Sequence, residues 1–333
     1  MSRTYAFIIP VYNRPQEIKE LLMSFLTLRT SLKFEILIIE DGSTLTSKDI
    51  VNEFSSKLNI NYHFKPNSGP GDSRNFGMSK SSADYFIILD SDVILPPHYL
   101  SAVDAALNIH YFDCYGGPDQ SHQDFSITQK AIDFSMTSFL TTGGIRGNKH
   151  SQTSSYEPRS FNIGISREAF LASGGFGKIH PGEDPDLSIR LKNLDFNLGF
   201  IPKAFVYHKR RIDFRKFYQQ VSKFGAVRPI LIKWHPKTFK ITFLFPSLFC
   251  LGLLISFILL PLSLSLLILY GTYLLLIFLS SLFKYRSFKV AMLTIVAVLV
   301  QFFGYGIAFL KSFVHILVLN KNPQKVYPNL FFK

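Results

Sequence analysis

The sequence predicts an α/β protein with a doubly wound, mainly parallel sheet, followed by a C-terminal bundle of two or three transmembrane helices. Short apolar runs of strand length alternate with helical patterns over roughly the first third of the chain, as expected for parallel strands joined by crossover helices. Polar or acidic residues follow three of the first four predicted strands. Further on, residues 241–283 form a run of 43 residues without a charge.

Strands are predicted at 4–11, 34–39, 60–64 and 85–89, and later at 161–166 and 200–207. Helices are predicted at 16–28, at about 47–58 with Ser47 as cap, after the glycine-rich stretch 67–77, and from Pro96-Pro97 to about 109. Further helices are predicted at 124–140, 167–172 and 187–194. Residues 141–156, which include Arg146 and Lys149, are predicted to form a loop. No G-x-G-x-x-G follows the first strand, so the dinucleotide-binding fingerprint is absent.

Composition indicates a membrane protein. The chain has 333 residues, of which 47% are hydrophobic. Its mean hydropathy is +0.18, which is high for a soluble protein. The first apolar run, 5–10, is too short for a signal-peptide core, so no signal peptide is expected. The two cysteines lie far apart and indicate neither a disulfide framework nor a zinc site.

The net charge of +13 is unevenly distributed along the chain. Residues 1–213 carry 22 Lys and Arg against 23 Asp and Glu, whereas residues 214–333 carry 14 Lys and Arg and no acid. Basic residues beside apolar runs favour an anionic membrane surface as the partner, not nucleic acid.

Three apolar segments are predicted to enter a membrane, at about 241–260, 262–283 and 290–310. Lysines and arginines flank the first two segments on the side of the preceding domain, so that domain is expected to be cytoplasmic, at an inner membrane. If the third segment also spans, the lysines beyond it lie outside, which the same rule disfavours. The sequence therefore leaves a third span and a re-entrant segment both open.

The stretch Asp90-Ser91-Asp92 directly follows the fourth strand, at the sheet edge where ligands bind in open α/β folds. Two neighbouring carboxylates repel each other unless a cation or proton lies between them. Mg²⁺ and Mn²⁺ prefer such oxygen ligands and often bridge to phosphate oxygens, so a nucleotide diphosphate is a natural partner. The alternative is a plain turn at the end of a strand.

Several motifs occur in order along the chain: IIPVYNRP, IIEDGST, GPGDSRNFG, LDSDV, GGFG, GEDPDLSIRL and VYH. Together they resemble the family 2 glycosyltransferases with the GT-A fold, over about residues 4–225. The resemblance implies transfer of a sugar from a nucleotide-diphospho-sugar with the help of a divalent metal. The apolar tail is similar to that of members that act on membrane-bound acceptors at the cytosolic face.

The resemblance also implies roles for individual residues. Asp92, with Asp90 and His208, would hold the metal, and Asp41 would accept a hydrogen bond from the base ring. Asp184 would be the general base of an inverting reaction, with Glu183 and Asp186 as competitors; Asp186 alternatively caps the helix that follows. The donor-binding set implied is Pro10, Tyr12, Arg14, Asp41, Asn67, Gly71, Arg74, Asp90 and Ser91. On the acceptor side the implied residues are Gly174, Gly175 and Phe176.

The chain departs from the processive polysaccharide synthases, which carry a Gln-x-x-Arg-Trp motif before their membrane helices. Here that region reads FYQQVSKFG, so transfer of a single sugar is expected. The polar residues of this region would instead hold an acceptor diphosphate: Lys209, Arg210, Arg211, Arg215, Gln219 and Gln220. Two alternatives stay open, a polyprenyl-phosphate sugar synthase and a non-catalytic membrane scaffold.

The predicted domains are a cytosolic transferase domain over residues 1–225, a basic amphipathic connector over 226–240, a membrane region over 241–320 and a basic tail over 321–333. The predicted partners are a nucleotide sugar, a lipid-linked or membrane-bound glycan acceptor and the membrane itself, with no nucleic acid.

Overall fold

The computed structural model describes residues 3–121, 126–143, 157–208, 213–260 and 264–332. The chain forms two compact units. The first, which we call the sheet unit, consists of Met1–His122, His150–Lys209 and Phe331–Lys333. The second, the helical unit, consists of Gln123–Lys149 and Arg210–Leu330. The helical unit thus includes two helices from the middle of the chain as well as the region after residue 210.

The strands all lie in the sheet unit. They are β1 Tyr5–Val11, β2 Phe34–Asp41, β3 Ile60–Lys65, β4 Tyr85–Leu89, β5 Val93–Ile94, β6 Cys114–Gly116, β7 Asp119–Ser121, β8 Asn162–Ser166, β9 Leu198–Phe200 and β10 Val206–His208. The helices of this unit are α1 Pro15–Phe25, α2 Lys48–Phe54, α3 Pro70–Lys80, α4 Tyr99–Ile109, α7 Arg167–Ser173 and α8 Glu183–Asn193.

The helical unit contains α5 Ile127–Thr137, α6 Phe139–Thr142, α9 Phe214–Trp234, α10 Phe245–Ile258, α11 Ser265–Tyr285, α12 Phe288–Phe313 and α13 Pro323–Val326. A 3₁₀ turn, Ile241–Leu244, leads into α10, and a π-helical turn, Val314–Val318, extends α12. Three segments are long and apolar enough to cross a membrane: Ile241–Ile258, Ser265–Tyr285 and Phe288–Val318.

The main sheet has seven strands in the order β3-β2-β1-β4-β8-β6-β9. Strands β1 to β4 are parallel to one another, as predicted. Strand β8 is antiparallel to both of its neighbours. A second sheet has the order β5-β10-β7.

Alternate residues of the central strands enter cores on opposite faces of the main sheet, because successive side chains of a strand point in opposite directions. Tyr5, Phe7 and Ile9 of β1 join the core that includes residues of α1, α2 and α4. Ala6 and Ile8 join the core that includes residues of α3, α7 and α8. Burial on both faces explains why these strands are apolar throughout. The doubly wound fold class is therefore confirmed.

Three details differ from the predictions. The helix predicted at 187–194 begins at Glu183, so the acidic residues before it form its first turn. The strand predicted at 200–207 is two short strands, β9 and β10, separated by a turn. The chain predicted as a connector at 226–240 continues a helix, α9, that runs through Pro229. The loop predicted at 141–156 lies largely outside the described residues, including Arg146 and Lys149.

Candidate functional site

The carboxyl ends of β1, β2 and β4 meet at one edge of the main sheet. Asn13 and Arg14 follow β1, Asp41 ends β2, and Asp90 and Asp92 follow β4. The loops after β1 and β2 are tied together, because the Asn13 side-chain oxygen accepts from the Thr44 and Leu45 N–H groups at 2.9 Å each. Parallel neighbouring strands place these polar side chains together, as the sequence predicted.

Arg74 connects this sheet edge to helix α8. Its guanidinium donates to Asp90 at 3.1 Å and to Glu183 at 3.2 Å, although these two acids are far apart in the chain. The residue is only 3% exposed and lies over the Phe176 ring, with 5.2 Å between guanidinium carbon and ring centroid. A buried arginine needs such paired charges, since an unpaired one is costly to desolvate. Arg74 was predicted to bind a donor phosphate; here its partners are carboxylates.

Glu183 is buried in the first turn of α8, where the helix dipole favours negative charge. Its Oε1 atom contacts Nδ1 of His180 at 2.8 Å and a guanidinium nitrogen of Arg74 at 3.2 Å. Burial alone would raise the pKa of Glu183, but the hydrogen bond and charge of His180 and the charge of Arg74 lower it to about 2. Glu183 is therefore ionised and already paired with His180 and Arg74, which makes it a poor proton acceptor.

Asp184, the next residue, has the opposite electrostatic character. Burial, and next the Glu183 carboxylate, raise the pKa of Asp184 to about 6. Its Oδ2 accepts from the Ser160 N–H at 3.1 Å. Its Oδ1 is buried and has no hydrogen-bond partner among the described residues. When their surroundings shift the pKa values of two neighbouring carboxyls in opposite directions, one stays ionised and the other can act as an acid or base. The geometry thus favours Asp184 over Glu183 as the base.

Asp186 neither competes for that role nor caps a helix. It lies within the first turn of α8, whose N-cap position is Gly182, so the predicted capping role is wrong. Its carboxylate accepts from Arg190 at 2.9 Å, and Arg190 also donates to the backbone carbonyls of Ser173 and Gly175. Asp186 therefore helps to hold the turn at 173–175 through Arg190.

The two acids of the Asp-Ser-Asp stretch have different arginine partners. Asp92 accepts from Arg14 at 2.6 Å, and Asp90 accepts from Arg74. Both carboxylates remain partly exposed, and their oxygens are the ligand type that Mg²⁺ and Mn²⁺ prefer. No three His, Cys, Asp or Glu residues gather into a metal-ligand group in the part of the chain that the structure describes. The chemistry fits a metal held by two carboxylates plus substrate oxygens. The side chain of His208 is outside the described part.

Asp41 organises the loop that leads into α3. One carboxylate oxygen accepts from Lys65 at 2.8 Å and the Ser68 N–H at 2.9 Å, and the other accepts from the Gly69 N–H at 2.9 Å. The Asn67 side chain donates to the Asp41 backbone carbonyl at 2.8 Å. Asp41 and Asn67, both predicted to contact the donor, thus shape the loop themselves.

Other predicted donor-site residues lie on the same elements. Pro10 is part of β1, and Tyr12 follows it with 54% of its surface exposed, which leaves a ring face open for stacking. Ser91 is buried between the two acids. Gly71, in the first turn of α3, is packed so closely that an added Cβ would lie 3.0 Å from the Gly177 carbonyl oxygen. Close packing therefore explains this glycine.

Asn75 holds the segment that was predicted to lie on the acceptor side. Its side chain donates to the Phe176 carbonyl oxygen and accepts from the Phe176 N–H, both at 2.8 Å. Gly174 and Gly175 have positive φ values of 71° and 73°, which other residues rarely adopt. The predicted acceptor cations Lys209, Arg210 and Arg211 lie outside the described residues, while Arg215, Gln219 and Gln220 belong to α9 of the helical unit.

Sequence reasoning placed Asn13 and Glu40 at this sheet edge without an individual role, and it missed Lys65, Asn75 and His180. Glu40 is fully buried and accepts from the Ser47 N–H and hydroxyl at 2.9 and 2.6 Å, and it also contacts Ser43. A charged residue at the end of a buried strand was the only available signal for it. Ser47 occupies the N-cap position of α2, as predicted, but its hydroxyl donates to Glu40 and makes no capping bond.

Comparison with known proteins agrees with this arrangement. Residues 6–170, just under half of the chain, match the family model described as glycosyl transferase family 2. An uncharacterized glycosyltransferase of Rickettsia bellii is 40% identical over 85 residues, which are 26% of this chain and 12% of that protein. Validoxylamine A glucosyltransferase of Streptomyces hygroscopicus subsp. jinggangensis is 34% identical over 102 residues, 30% of this chain and 24% of that protein. The chain therefore matches only a small part of either relative.

Among solved structures, the mannosyltransferase PcManGT from Pyrobaculum calidifontis, in complex with GDP-Man and Mn²⁺, has a TM-score of 0.56 at 13% sequence identity. The match covers 96% of this chain and 88% of that one. At this identity the likeness concerns the fold, which is the mainly parallel sheet predicted from the sequence. From the family match, the sheet order and the site geometry together, this chain contains a glycosyl transferase family 2 domain with a GT-A-like fold.

Proposed function

We propose that this chain is an inverting glycosyltransferase. It would move a single sugar from a nucleotide-diphospho-sugar to a membrane-bound, polyprenyl-linked glycan acceptor in cell-surface polysaccharide or glycan assembly. The observation that carries the proposal is Asp184, a carboxyl with a raised pKa and a buried oxygen that lacks a partner in the described residues, beside the ionised Glu183. The family 2 domain supports the reaction class.

In the proposed reaction, the Asp184 carboxylate accepts the proton of an acceptor hydroxyl. The acceptor oxygen forms a bond to the anomeric carbon while the bond from that carbon to the nucleotide diphosphate breaks, so the configuration inverts. A base with a pKa near the working pH serves this step best, because it is both ionised and basic enough. Glu183 takes no proton; Arg74 and His180 hold it ionised, and its negative charge raises the pKa of Asp184.

The leaving diphosphate carries negative charge that must be stabilised. Asp92 and Asp90 would hold a divalent cation, which supplies Lewis-acid stabilisation of that charge when bound. Arg14 and Arg74, the present partners of these acids, bring two further positive charges to the same edge. The arginine pairing also orients the two carboxylates in the absence of substrate.

The membrane-bound acceptor and the location are inferred from the helical unit. Three segments there are apolar and long enough to enter a bilayer, and lysines and arginines flank them. A transferase domain attached to a membrane meets lipid-linked acceptors at high local concentration. By the distribution of basic residues, we place the chain in the cell inner membrane with its transferase domain cytoplasmic.

The direct test is turnover of nucleotide sugars by the full chain in detergent. Release of nucleoside diphosphate is measured for a panel of donors with Mn²⁺, Mg²⁺ or EDTA. We expect metal-dependent turnover of one donor and a loss of at least about 100-fold in Asp184→Asn. Asp195→Asn, an exposed carboxylate near the opposite end of the same helix, is the matched control and should be unchanged. Turnover of no donor under any condition would contradict the proposal.

A further inference from the structure

Phe331 and Phe332 return the chain to the sheet unit after the last apolar helix. Phe331 forms an antiparallel bridge with Ile179, and the Phe332 N–H donates to the Lys178 carbonyl at 3.0 Å. The Phe332 ring lies against Gly69, on the loop held by Asp41. The sheet unit therefore both precedes the first apolar segment and receives the chain after the third. Any membrane must be crossed an even number of times between them, so three crossings are excluded.

Helix α12 lies along α9 for most of its length. The contacts join Phe217 to the cluster around Ala297, Gly304 to Val221 and Ser222, Ser312 to the Ala226 carbonyl at 2.6 Å, and Lys233 to Asn320 at 2.6 Å. Residue numbers rise together in both helices, so the two run parallel. Glycine at position 304 allows this approach, because an added Cβ would meet a Val221 methyl at 2.7 Å.

Helix α9 is unsuited to the interior of a bilayer. Its cations are spread from end to end, at Arg215, Lys216, Lys223, Arg228 and Lys233. Lys223 lies near the middle of the helix and is exposed. A lysine at the centre of a bilayer costs roughly 2.5–3.5 kcal/mol or more. Because α12 packs along α9, the two helices lie at the same depth, which we take to be the surface of the bilayer.

Helices α10 and α11 form a hairpin that packs against α12. Contacts join Ser247 to the Gly306 carbonyl at 3.0 Å, Cys250 to the Phe302 carbonyl at 3.4 Å, the Tyr273 ring to the Phe302 ring at 6.4 Å and Ser281 to Thr294 at 2.8 Å. Numbers rise in α11 as they fall in α12, so these two helices are antiparallel, whereas the two α10 contacts lie within one turn and mark where α10 crosses α12. Phe249 meets the Tyr273 ring and an added Cβ at Gly252 would meet the Tyr270 hydroxyl, so α10 and α11 run antiparallel as a hairpin.

The far end of the α10–α11 hairpin has the composition of a segment inside lipid. Between Phe257 and Tyr270 there is no charged or aromatic residue, whereas Lys240, Lys284 and Arg286 stand at its base. A span that emerges on the far side normally carries basic or aromatic anchors there. From Leu251, just after the Cys250 contact with α12, to Ile258 at the end of α10, the helix extends only about 12 Å, which is less than half of a hydrocarbon core of about 30 Å.

We propose that the helical unit attaches to a bilayer from one side only. The α10–α11 hairpin enters the near leaflet and returns, while α12, the longest apolar segment, lies at the surface against α9. All cations after residue 213 then lie on one side of the membrane, which removes the conflict with the positive-inside rule that a third span creates. This inference does not depend on the proposed transfer reaction.

Labelling of single cysteines with a membrane-impermeant maleimide tests the proposal on the full chain. The background is Cys250→Ala; Cys114 is retained because it is 0% exposed and becomes labelled only if the protein unfolds. Lys57→Cys marks the exposed surface of the sheet unit, Lys325→Cys marks the segment after α12, and Leu264→Cys, at 60% exposure, marks the hairpin end. Each is labelled in right-side-out and in inverted vesicles.

We expect Lys57→Cys and Lys325→Cys to be labelled from the same face, and Leu264→Cys from neither face until detergent is added. Labelling of Lys325→Cys from the face opposite to Lys57→Cys would overturn the proposal, because it requires an odd number of crossings. Labelling of Leu264→Cys from that opposite face would also overturn it, because the hairpin would then span. Lys321→Cys repeats the test of the same segment if Lys325→Cys exposes Cys114.

Discussion

Replacing Glu183 by glutamine is expected to shift the acidic limb of the pH profile to lower pH. The proposed base, Asp184, has a pKa of about 6, raised first by burial and next by the Glu183 carboxylate. Glutamine keeps the size of the side chain and removes that charge. Burial remains, so the pKa of Asp184 should fall by roughly one unit and stay above the ordinary aspartate value of about 3.9.

The measurement is kcat/KM for donor turnover between about pH 4.5 and 8.5, since this ratio reports the groups of the free enzyme. In the unaltered chain, kcat/KM should fall about tenfold per pH unit below about pH 6. In Glu183→Gln the same limb should appear at lower pH, with activity retained above it. Asp184→Asn should lose at least about 100-fold at every pH.

Asp184 is not the base if the limb stays in place or moves upward in Glu183→Gln, or if Asp184→Asn keeps both activity and limb. Either result would assign the base to another group. Asp195→Asn provides the control for loss of an exposed carboxylate just after α8, away from the site, and its profile should match that of the unaltered chain.

Three further predictions concern stability, measured by thermal or denaturant unfolding in detergent. Gly69→Ala should destabilise the fold by about 1–3 kcal/mol, because Gly69 has φ +92° and an added Cβ would overlap the Phe332 ring. The loss of stability should be smaller in a Phe332→Ala background, and an equal loss there would contradict the contact with Phe332. Asn75→Ala should destabilise by about 1–3 kcal/mol, because the N–H and carbonyl of Phe176 lose their partner; an unchanged midpoint would contradict this. Asp184→Asn should stabilise the fold at pH 8 by on the order of 2 kcal/mol, because the raised pKa of Asp184 means that folding disfavours its ionised form. This gain in stability should disappear as pH falls from about 6 toward 4, and a gain independent of pH would contradict the prediction.

Much of the fold was predictable because its signals are local. Strands β1 to β4 are apolar runs bounded by polar residues, and the Asp-Ser-Asp stretch follows a strand whose burial on both faces makes it easy to identify. The strands β5, β6 and β7 have two or three residues each, too few for any periodicity to appear. Their pairing depends on distant partners, such as β10 for β5 and β7.

The sequence indicates many of the residues at the candidate site, but it does not indicate which of them contact each other. Arg74 and Glu183 are both in recognisable motifs, yet nothing local indicates that they contact each other across 109 positions. The same applies to Asp92 and Arg14. The opposite pKa shifts of Glu183 and Asp184 follow from burial and from the contact of Glu183 with His180. The sequence reveals neither of these.

The helical unit shows the same limit. Length and hydropathy identify its three apolar segments, but those properties do not distinguish a helix that crosses a bilayer from one that lies on α9. Helix α9 itself was not predicted over its full length, because Pro229 and the scattered cations weaken the helical pattern. Tertiary packing between α9 and α12 determines its extent.

The stereochemistry of the product shows whether the transfer inverts the anomeric carbon, as the proposed role of Asp184 requires. Once the turnover assay has identified the donor, the anomeric configuration of the transferred sugar can be assigned by NMR of the product formed in the first minutes of reaction. Direct displacement assisted by Asp184 predicts a configuration opposite to that of the sugar in the donor. Retention of the donor configuration would contradict the account, because it would require a mechanism in which Asp184 is not a simple proton acceptor.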